Sequence, residues 1–381
     1  QDDEPPLSAP LLATTPAAMD RIIVYDLSGG RRELVFGTGE HHIWGFSPDG
    51  CRVLFSLSET GGLPQIYTAR LNGDDVRPLV RYDETTFAIP DGQWGTWEPA
   101  WSPDGSRIAF VLIRGIADEL DPEAQDHHIA WIPGDSDSAL VPQFYSVTGR
   151  EFSPQWSPDS AWLAYVSYDE RPAGADAQST AVPTVEPIAG QPTPATPMIQ
   201  EADLWVVSAD GETKYRLTTF ETGNVRHPRW SPDGALIGFI HSPSANNDTF
   251  WMIANQQGAI PTQLSYLWNL TLDHTWLPDS SAMLAAVRDF RETTENQLWR
   301  IPLIGNADND ATLYLAQTFP HTDYARFSPD GRYLAFRSDY VLTLADLQAG
   351  TYTALDADLP GNTPPVWSPA GYTGEAGCNA G

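Results

Sequence analysis

Histidine and carboxylate residues recur a few positions ahead of a repeated aromatic-Ser-Pro-Asp-Gly pentapeptide, and their types suit metal chemistry. These residues are His41, His42, Glu98, Glu151, His227, Asp273, His274 and Asp323. Imidazole with carboxylate is a typical ligand set for Mn²⁺ or Zn²⁺, and carboxylates alone suit Ca²⁺. One prediction is therefore a divalent-metal site with His227, Glu98 and Asp273 as ligands. The alternative is a solvated polar lining, because none of the eight histidines falls in a spacing such as His-Glu-x-x-His.

A second acidic group lies in the segment 114–128, which ends in paired histidines. Its carboxylates predict at most weak calcium binding, because the Asp-x-Asp-x-Asp-Gly pattern of an EF-hand loop is missing. The calcium candidates are Asp118, Glu119, Asp121 and Asp126.

Several aromatic side chains accompany these groups in the sequence. They are Tyr82, Phe87, Trp94, Trp97 and Trp268. Exposed together, such rings form a platform for sugar rings or for the apolar anchors of a protein partner. The alternative is that some of them pack inside the fold.

The elements that must position these residues follow from the repeated pentapeptide itself. Its seven copies begin at Phe46, Trp101, Trp156, Trp230, Trp276, Phe327 and Trp367. Proline presets φ at the first central position of a turn, Asp tolerates the next position, and Gly supplies positive φ. Each copy therefore predicts a tight turn between two strands, and in the six copies that contain Asp we expect its carboxylate to bind nearby backbone.

A period of about 40–50 residues with insertions is typical of a β-propeller. The fourth copy predicts strands at 226–230, 235–241, 249–254 and 260–265, and the sixth predicts strands at 322–327, 332–338, 340–346 and 351–355. Four antiparallel strands form one blade. We therefore predict an all-β, seven-bladed β-propeller over residues 21–381, with insertions at 114–128 and 171–202, preceded by an extended Pro-rich arm at 1–20.

The two ends of the chain are expected to share the last blade. The segment 363–367 supplies the inner strand and the hairpin at 21–36 supplies outer strands, which removes an open sheet edge. This closure brings Cys378 close to Cys51, and we predict a disulfide between them. Two unpaired thiols are the alternative.

A propeller also places the chemistry-bearing residues on one face. The inner strand of each blade lines a central channel, and its first residues lie at the same rim as the connections between second and third strands. We expect the histidines, carboxylates and aromatic residues named above to surround this channel mouth.

The charge of the chain limits the classes of molecule that it is expected to bind. It has 21 basic and 50 acidic residues, for a formal net charge of −29. Such a charge repels phosphate backbones and anionic lipid, so we predict no nucleic-acid partner. There is no apolar run long enough for a transmembrane helix. The first residues, from Gln1, are expected to be a processed mature end, which suggests a secreted, periplasmic or cell-surface protein.

The repeated turn resembles that of the TolB-type propeller family. Proline stands two residues before the aromatic at Pro99, Pro154, Pro228 and Pro365, and the likeness spans residues 21–371. Ala325 and Ala370 depart from the pattern. Similar repeats occur in TolB, in prolyl oligopeptidase relatives, in tricorn protease and in oligogalacturonate lyases. The resemblance implies a propeller. As departures from the family, we expect neither the TolB N-terminal domain nor a peptidase domain, and no Gly-x-Ser-x-Gly motif is present.

Two functions are compatible with this sequence. The first is a non-catalytic propeller that binds a protein or glycan at the cell exterior and self-assembles into an oligomer or filament through its arm or Pro-rich insert. The second, implied by the likeness to oligogalacturonate lyases, is a metal-dependent polysaccharide (uronate) lyase or hydrolase at the channel mouth, with Ca²⁺, Mn²⁺ or Zn²⁺.

Overall fold

The computed structural model describes residues 6–59, 62–81, 94–114, 126–146, 150–172, 198–220, 222–244, 247–265, 269–288, 295–339, 341–355 and 363–378. These residues form 28 strands and two helices of four residues, α1 (Ala307–Asp310) and α2 (Glu375–Cys378). Within the described ranges, no helix has the length and apolar character needed to cross a membrane.

Each copy of the pentapeptide is preceded by one strand, which we call the first strand of that repeat. The seven first strands are β4 (Glu40–Phe46), β8 (Trp94–Trp101), β12 (Arg150–Trp156), β16 (Gly223–Trp230), β20 (Asn269–Trp276), β24 (Thr322–Phe327) and β28 (Val366–Trp367). The second strands are β5 (Arg52–Ser58), β9 (Arg107–Arg114), β13 (Trp162–Pro172), β17 (Leu236–Ser244), β21 (Ala282–Arg288), β25 (Tyr333–Ser338) and, for the last repeat, β1 (Leu11–Thr14).

Third and fourth strands complete each repeat. The third strands are β6 (Gln65–Arg70), β10 (Asp126–Pro133), β14 (Met198–Ser208), β18 (Asn247–Ala254), β22 (Asn296–Pro302), β26 (Val341–Asp346) and β2 (Ile22–Asp26). The fourth strands are β7 (Arg77–Pro78), β11 (Gln143–Phe144), β15 (Lys214–Arg216), β19 (Thr262–Gln263), β23 (Thr312–Leu313), β27 (Thr351–Ala354) and β3 (Arg31–Leu34).

The repeats pair into five sheets. Repeats one, five, six and seven are separate four-stranded sheets, and repeats two to four join into one twelve-stranded sheet. The joins are short parallel pairings, β10 with β12 and β14 with β16. Each first strand contacts the next, from β4 through to β28, and β28 contacts β4. The first strands therefore form a closed cycle.

The pentapeptide forms the predicted turn. In the second copy, Asp104 Oδ1 accepts hydrogen bonds from Ser102 Oγ at 2.7 Å and from the Ser106 backbone N–H at 2.9 Å. Gly105 has φ +77° and its N–H donates to the Ser102 carbonyl at 2.9 Å. The Asp104 carboxylate thus closes the turn, as we predicted.

Motif tryptophans connect neighbouring repeats. The indole Nε1–H of Trp156 donates to the Ala100 carbonyl at 3.0 Å, and that of Trp230 donates to the Gln155 carbonyl at 3.0 Å. In the same way, the indole N–H of Trp276 donates to the carbonyl of Arg229, the residue before the preceding motif, at 2.9 Å. An amphipathic indole suits such a position, because its ring is buried while its N–H is satisfied. These side chains are structural.

Apolar strands fill the space between repeats. In β9, the residues Ile108, Ala109, Phe110, Val111 and Leu112 are all fully buried. Alternate side chains of a strand point to opposite faces, so a strand that is buried throughout packs on both sides. The core is accordingly a series of layers between successive repeats.

The N-terminal segment differs from the prediction. Residues 11–14 are not part of an arm, because Leu11–Thr14 forms β1, which pairs with β2 on one side and β28 on the other. Leu11, Leu12 and Ala13 are fully buried. The last repeat therefore takes three strands from the N-terminus and one from the C-terminus, and residues 11–14 are not available to a neighbouring copy.

The closure is held covalently. Cys51 and Cys378 form the predicted disulfide, with their Cα atoms 5.4 Å apart. Arg32 forms an ion pair with Glu375, and Glu375 Oε2 accepts the Leu7 N–H at 2.9 Å. The disulfide thus attaches the C-terminal helix to repeat one, and Glu375 attaches the same helix to Leu7 and to β3 of the last repeat.

The predicted insertions are shorter than expected. Residues 126–128 belong to β10, residues 171–172 belong to β13, and residues 198–202 belong to β14. The hairpin of β13 and β14 continues to the pair Pro172 and Met198. The remainder of each insertion, at 115–125 and 173–197, lies outside the described residues.

Candidate functional site

A shared irregularity shapes the first strands. Their pairing with the second strands shifts register between Trp97 and Ala100, and the third, fourth and sixth repeats show the same shift. At the start of each shift, three residues before the motif aromatic, the backbone has positive φ. These residues are Glu98, Ser153, His227 and Tyr324. Such bulges re-aim side chains and are frequent near functional sites.

Repeats four to six form a buried charged cluster around Asp273. Arg229 Nη2 lies 3.3 Å from Asp273 Oδ1, and Arg326 Nη1 lies 2.6 Å from Asp273 Oδ2. We call these three residues the arginine-aspartate cluster. The two guanidinium groups hold the pKa of Asp273 well below its usual range, against the opposing effect of burial. Asp273 is therefore a carboxylate at every physiological pH.

Two histidines border this cluster. His274 Nε2 lies 2.7 Å from the His227 carbonyl oxygen, and only 2% of His274 is exposed. Burial lowers the pKa of His227 to about 4, and the negative charge of Asp273 opposes this shift only in part. Burial and the nearby Arg229 lower the pKa of His274 to about 3. Both imidazoles are neutral at pH 7.

The buried neutral histidines predict a loss of stability in acid. The pKa of His274 is about 3 in the folded chain and about 6.5 when unfolded, so only the unfolded state gains this proton as the pH falls between those values. His274→Gln keeps a side-chain donor for the His227 carbonyl but does not titrate. We expect the loss of unfolding free energy between pH 7 and pH 5 to be smaller by about 2 kcal/mol in this variant. Urea unfolding at both pH values measures it, and equal losses in the two proteins would contradict it.

Asp323 is engaged by its own repeat. Its carboxylate is 3% exposed and binds Arg337, whose Nε lies 2.6 Å from Oδ1. Burial raises the pKa of Asp323 and Arg337 opposes this rise. The same guanidinium lies 4.8 Å from the centre of the Tyr324 ring. Asp323 is thus a paired carboxylate beside the cluster.

The predicted residues of repeats one and two form a separate group. His42 packs edge-on against Trp97 with ring centres 4.8 Å apart, and Trp44 also packs edge-on against Trp97 at 4.9 Å. Burial lowers the pKa of His42. Glu98 accepts the Ser153 N–H at 2.6 Å, and burial raises its pKa.

Three of the predicted binding residues are buried and make structural contacts. Glu151 is fully buried, and its Oε2 accepts the Ile129 N–H at 3.0 Å, which ties repeat three to repeat two. His41 is also fully buried, and its Nε2 accepts the Phe36 N–H at 3.0 Å. Trp94 is 8% exposed and packs with Leu54 and other core residues, so it is not on an exposed platform.

The other predicted candidates lie outside the described residues, apart from Asp126. They are Tyr82, Phe87, Trp268, Asp118, Glu119 and Asp121. Asp126 is exposed at the start of β10, with its Oδ2 4.0 Å from His128 Nε2.

The metal prediction is not supported where the structure describes the chain. In that part, no group of three or more His, Cys, Asp or Glu side chains could hold a metal ion. Glu98 binds backbone of repeat three, whereas His227 and Asp273 lie beside two arginines. Positive groups next to a carboxylate disfavour a divalent cation there.

A cavity of about 310 Å³ opens between repeats two, three and four. It is lined by His127, Arg150, Phe152, Ser153, Val166, Tyr168, Val225 and Arg226. We call it the inter-repeat cavity. The ring of Phe152 lies 4.6 Å from that of His127 and 5.6 Å from that of Tyr168. None of these eight residues is acidic, in a chain of net charge −29.

The arginines are the residues that sequence reasoning missed. Arg229 and Arg326 each stand directly before a motif aromatic, and Arg226 lies just ahead of His227. Basic residues are rare in this chain, with 21 against 50 acidic, so their recurrence beside the motif is a usable signal. Arg150 carries a similar signal at the start of β12.

No protein-family model matches this chain. An uncharacterized protein from Agrobacterium fabrum is 32% identical over 145 residues, which is 37% of this chain and 44% of that protein. An uncharacterized peptidase from Bacillus subtilis is 24% identical over 268 residues, covering 70% of this chain and 32% of its own length. The chain therefore spans less than half the length of these two relatives.

Solved structures match over more of the chain. A puromycin-hydrolyzing peptidase of Mycobacterium tuberculosis has a TM-score of 0.59 at 15% identity, covering 94% of this chain and 54% of its own. An oligogalacturonate lyase in complex with manganese has a TM-score of 0.54 at 14% identity, covering 84% and 79%. The chain has a propeller-type fold. TolB from Acinetobacter baumannii also matches, at a TM-score of 0.49 and 13% identity, covering 94% and 66%.

Proposed function

We propose that this chain is a seven-bladed, TolB-like β-propeller that acts outside the cytoplasm as a non-catalytic binding module for a protein or glycan. Seven first strands in a closed cycle support the blade count, if the twelve-stranded sheet is divided into its three repeats. The disulfide between Cys51 and Cys378 supports an oxidising compartment, secreted, periplasmic or at the cell surface.

The inter-repeat cavity is the observation that carries this proposal. Its volume of about 310 Å³ lies at the small end of ligand sites, which suits one sugar ring or one amino-acid side chain. Phe152 and Tyr168 offer apolar ring surfaces, and Arg150 lies 5.6 Å from the centre of the Tyr168 ring. Arg226 is held by Asp248 Oδ2 at 2.5 Å and by Ser242 Oγ at 3.1 Å. Aromatic and arginine side chains are the groups most enriched at binding hot spots.

A binding titration tests this proposal. Isothermal calorimetry would compare acidic oligosaccharides, neutral oligosaccharides and acidic peptides with the wild-type protein. We expect the acidic class to bind, and Arg150→Ala to weaken that binding at least about tenfold, since a charged hydrogen bond and a ring contact are lost. Arg70→Ala is the matched control, because Arg70 is 52% exposed on β6 and away from the cavity.

The outcomes separate the proposal from its alternatives. Equal affinity of the Arg150→Ala and Arg70→Ala proteins would remove the cavity as the site. Formation of unsaturated uronate products with Mn²⁺, Ca²⁺ or Zn²⁺ would replace the binding module with the metal-dependent lyase. Light scattering of the same samples measures whether the protein self-assembles.

A further inference from the structure

The arginine-aspartate cluster has more positive than negative charge. Among the described residues, Asp273 is the one carboxylate between Arg229 and Arg326, and it lies within 3.3 Å and 2.6 Å of their respective nitrogens. The neighbouring arginines do not change this balance. Arg226 is paired with Asp248, and Arg337 is paired with Asp323.

The bordering histidines leave this balance unchanged. His227 and His274 are neutral at pH 7, because burial lowers the pKa of the first to about 4 and of the second to about 3. Burial and the adjacent Arg326 together lower the pKa of Arg229 to about 10. As far as the described residues show, one positive charge of the cluster is thus uncompensated, in a chain whose net charge is −29.

The two guanidinium groups also keep unused donors. Arg229 Nε and Arg326 Nη2 are buried and have no hydrogen-bond partner among the described residues. A buried charged donor without an acceptor is costly, so such donors are normally satisfied by water or by a ligand. These two nitrogens are themselves buried, but the side chains of Arg229 and Arg326 as a whole are 24% and 14% accessible, so other atoms of each side chain reach solvent.

We propose that the arginine-aspartate cluster is a binding site for an oxyanion, either a carboxylate or a phosphate group. Arg229 and Arg326 are the binding residues, because a guanidinium presents paired N–H donors that match both groups. Asp273 holds the two side chains in place and satisfies one of their two charges. The site is built from repeats four to six and does not depend on the inter-repeat cavity.

The role of Asp273 predicts that two substitutions in the cluster change anion affinity in opposite directions. Asp273→Asn removes the internal carboxylate that competes with a bound anion, so the variant should bind anions about tenfold more tightly than wild type. Arg326→Gln removes one guanidinium and should weaken binding at least about tenfold. A cluster with a purely structural role would lose stability in both variants without a gain of affinity in either.

Calorimetric titration of the full chain with inorganic phosphate and, separately, with malonate tests the proposal at constant ionic strength in chloride. The tighter of the two probes identifies the source of the oxyanion. Thermal unfolding at increasing probe concentration gives a second readout, because a ligand of the folded state raises Tm. Arg70→Gln is the control and should match wild type.

Each outcome decides the proposal. Tighter binding by Asp273→Asn together with weaker binding by Arg326→Gln supports it. Failure of wild type and Asp273→Asn to bind either probe overturns it, as does an equal effect of Arg70→Gln. If Arg326→Gln does not fold, the comparison of Asp273→Asn with wild type still decides. The protein could bind phosphate or malonate and yet bind no oligosaccharide or peptide. That result would support the oxyanion site and contradict the proposed function.

Discussion

Cys51→Ser is expected to lower the free energy of unfolding by about 4 kcal/mol. The disulfide joins residues 327 apart in sequence, so the unfolded chain without it gains the entropy of a very long open loop. Much of the closure in the folded state survives, because β28 still pairs with β1 and Glu375 still binds Arg32. The loss should therefore arise mainly in the unfolded state, and urea unfolding measures it.

Three further samples test this origin. Cys378→Ser, the double variant and the wild-type protein in reductant should all lose the same amount, because each removes one bond. The dependence of the free energy on urea should steepen, since an open chain exposes more surface on unfolding. Identical unfolding midpoints for oxidised and reduced wild type would show that the covalent link contributes nothing to stability.

The repeated turn made the fold predictable. β24 has the predicted bounds, Thr322–Phe327, because an aromatic residue and the Ser-Pro-Asp-Gly turn mark the end of the strand. The ring closure and the disulfide followed from the same count of repeats. β1 was missed because Pro residues surround it and no turn motif precedes it. Its signal was the short apolar run Leu-Leu-Ala-Thr, which is consistent with a strand buried on both faces.

The site was less predictable than the fold. His227 and Asp273 were identified as residue types, but their partners depend on the β-bulge, which shifts register and turns side chains to a new direction. From a regular strand pattern without the bulge, one would not predict that Arg229 and Arg326, which belong to two different repeats, both pair with Asp273. Glu151 shows the converse. As a carboxylate it was predicted to be a binding residue, whereas in the structure its side chain accepts a hydrogen bond from a backbone N–H of the preceding repeat.

Leu12→Ala is expected to lower the free energy of unfolding by about 3 kcal/mol. Leu12 is fully buried and is paired with Tyr25 of β2 and with Trp367 of β28. Its side chain packs with Ile23 and Leu342, so it connects the last repeat to repeat six. Truncation leaves a cavity at the point where the N-terminal strands meet the C-terminal strand. Urea unfolding monitored by tryptophan fluorescence measures the loss.

Leu313→Ala is the matched control, because Leu313 is 41% exposed on the two-residue strand β23. We expect it to change stability by less than about 0.5 kcal/mol. The comparison also separates a strand from an arm at the N-terminus. An extended arm would tolerate Leu12→Ala as well as Leu313→Ala, since neither leucine would pack in a core. A loss of unfolding free energy seen only in Leu12→Ala would instead show that β1 unfolds together with the rest of the fold. Closure of the ring by the N-terminal strand would then contribute directly to stability.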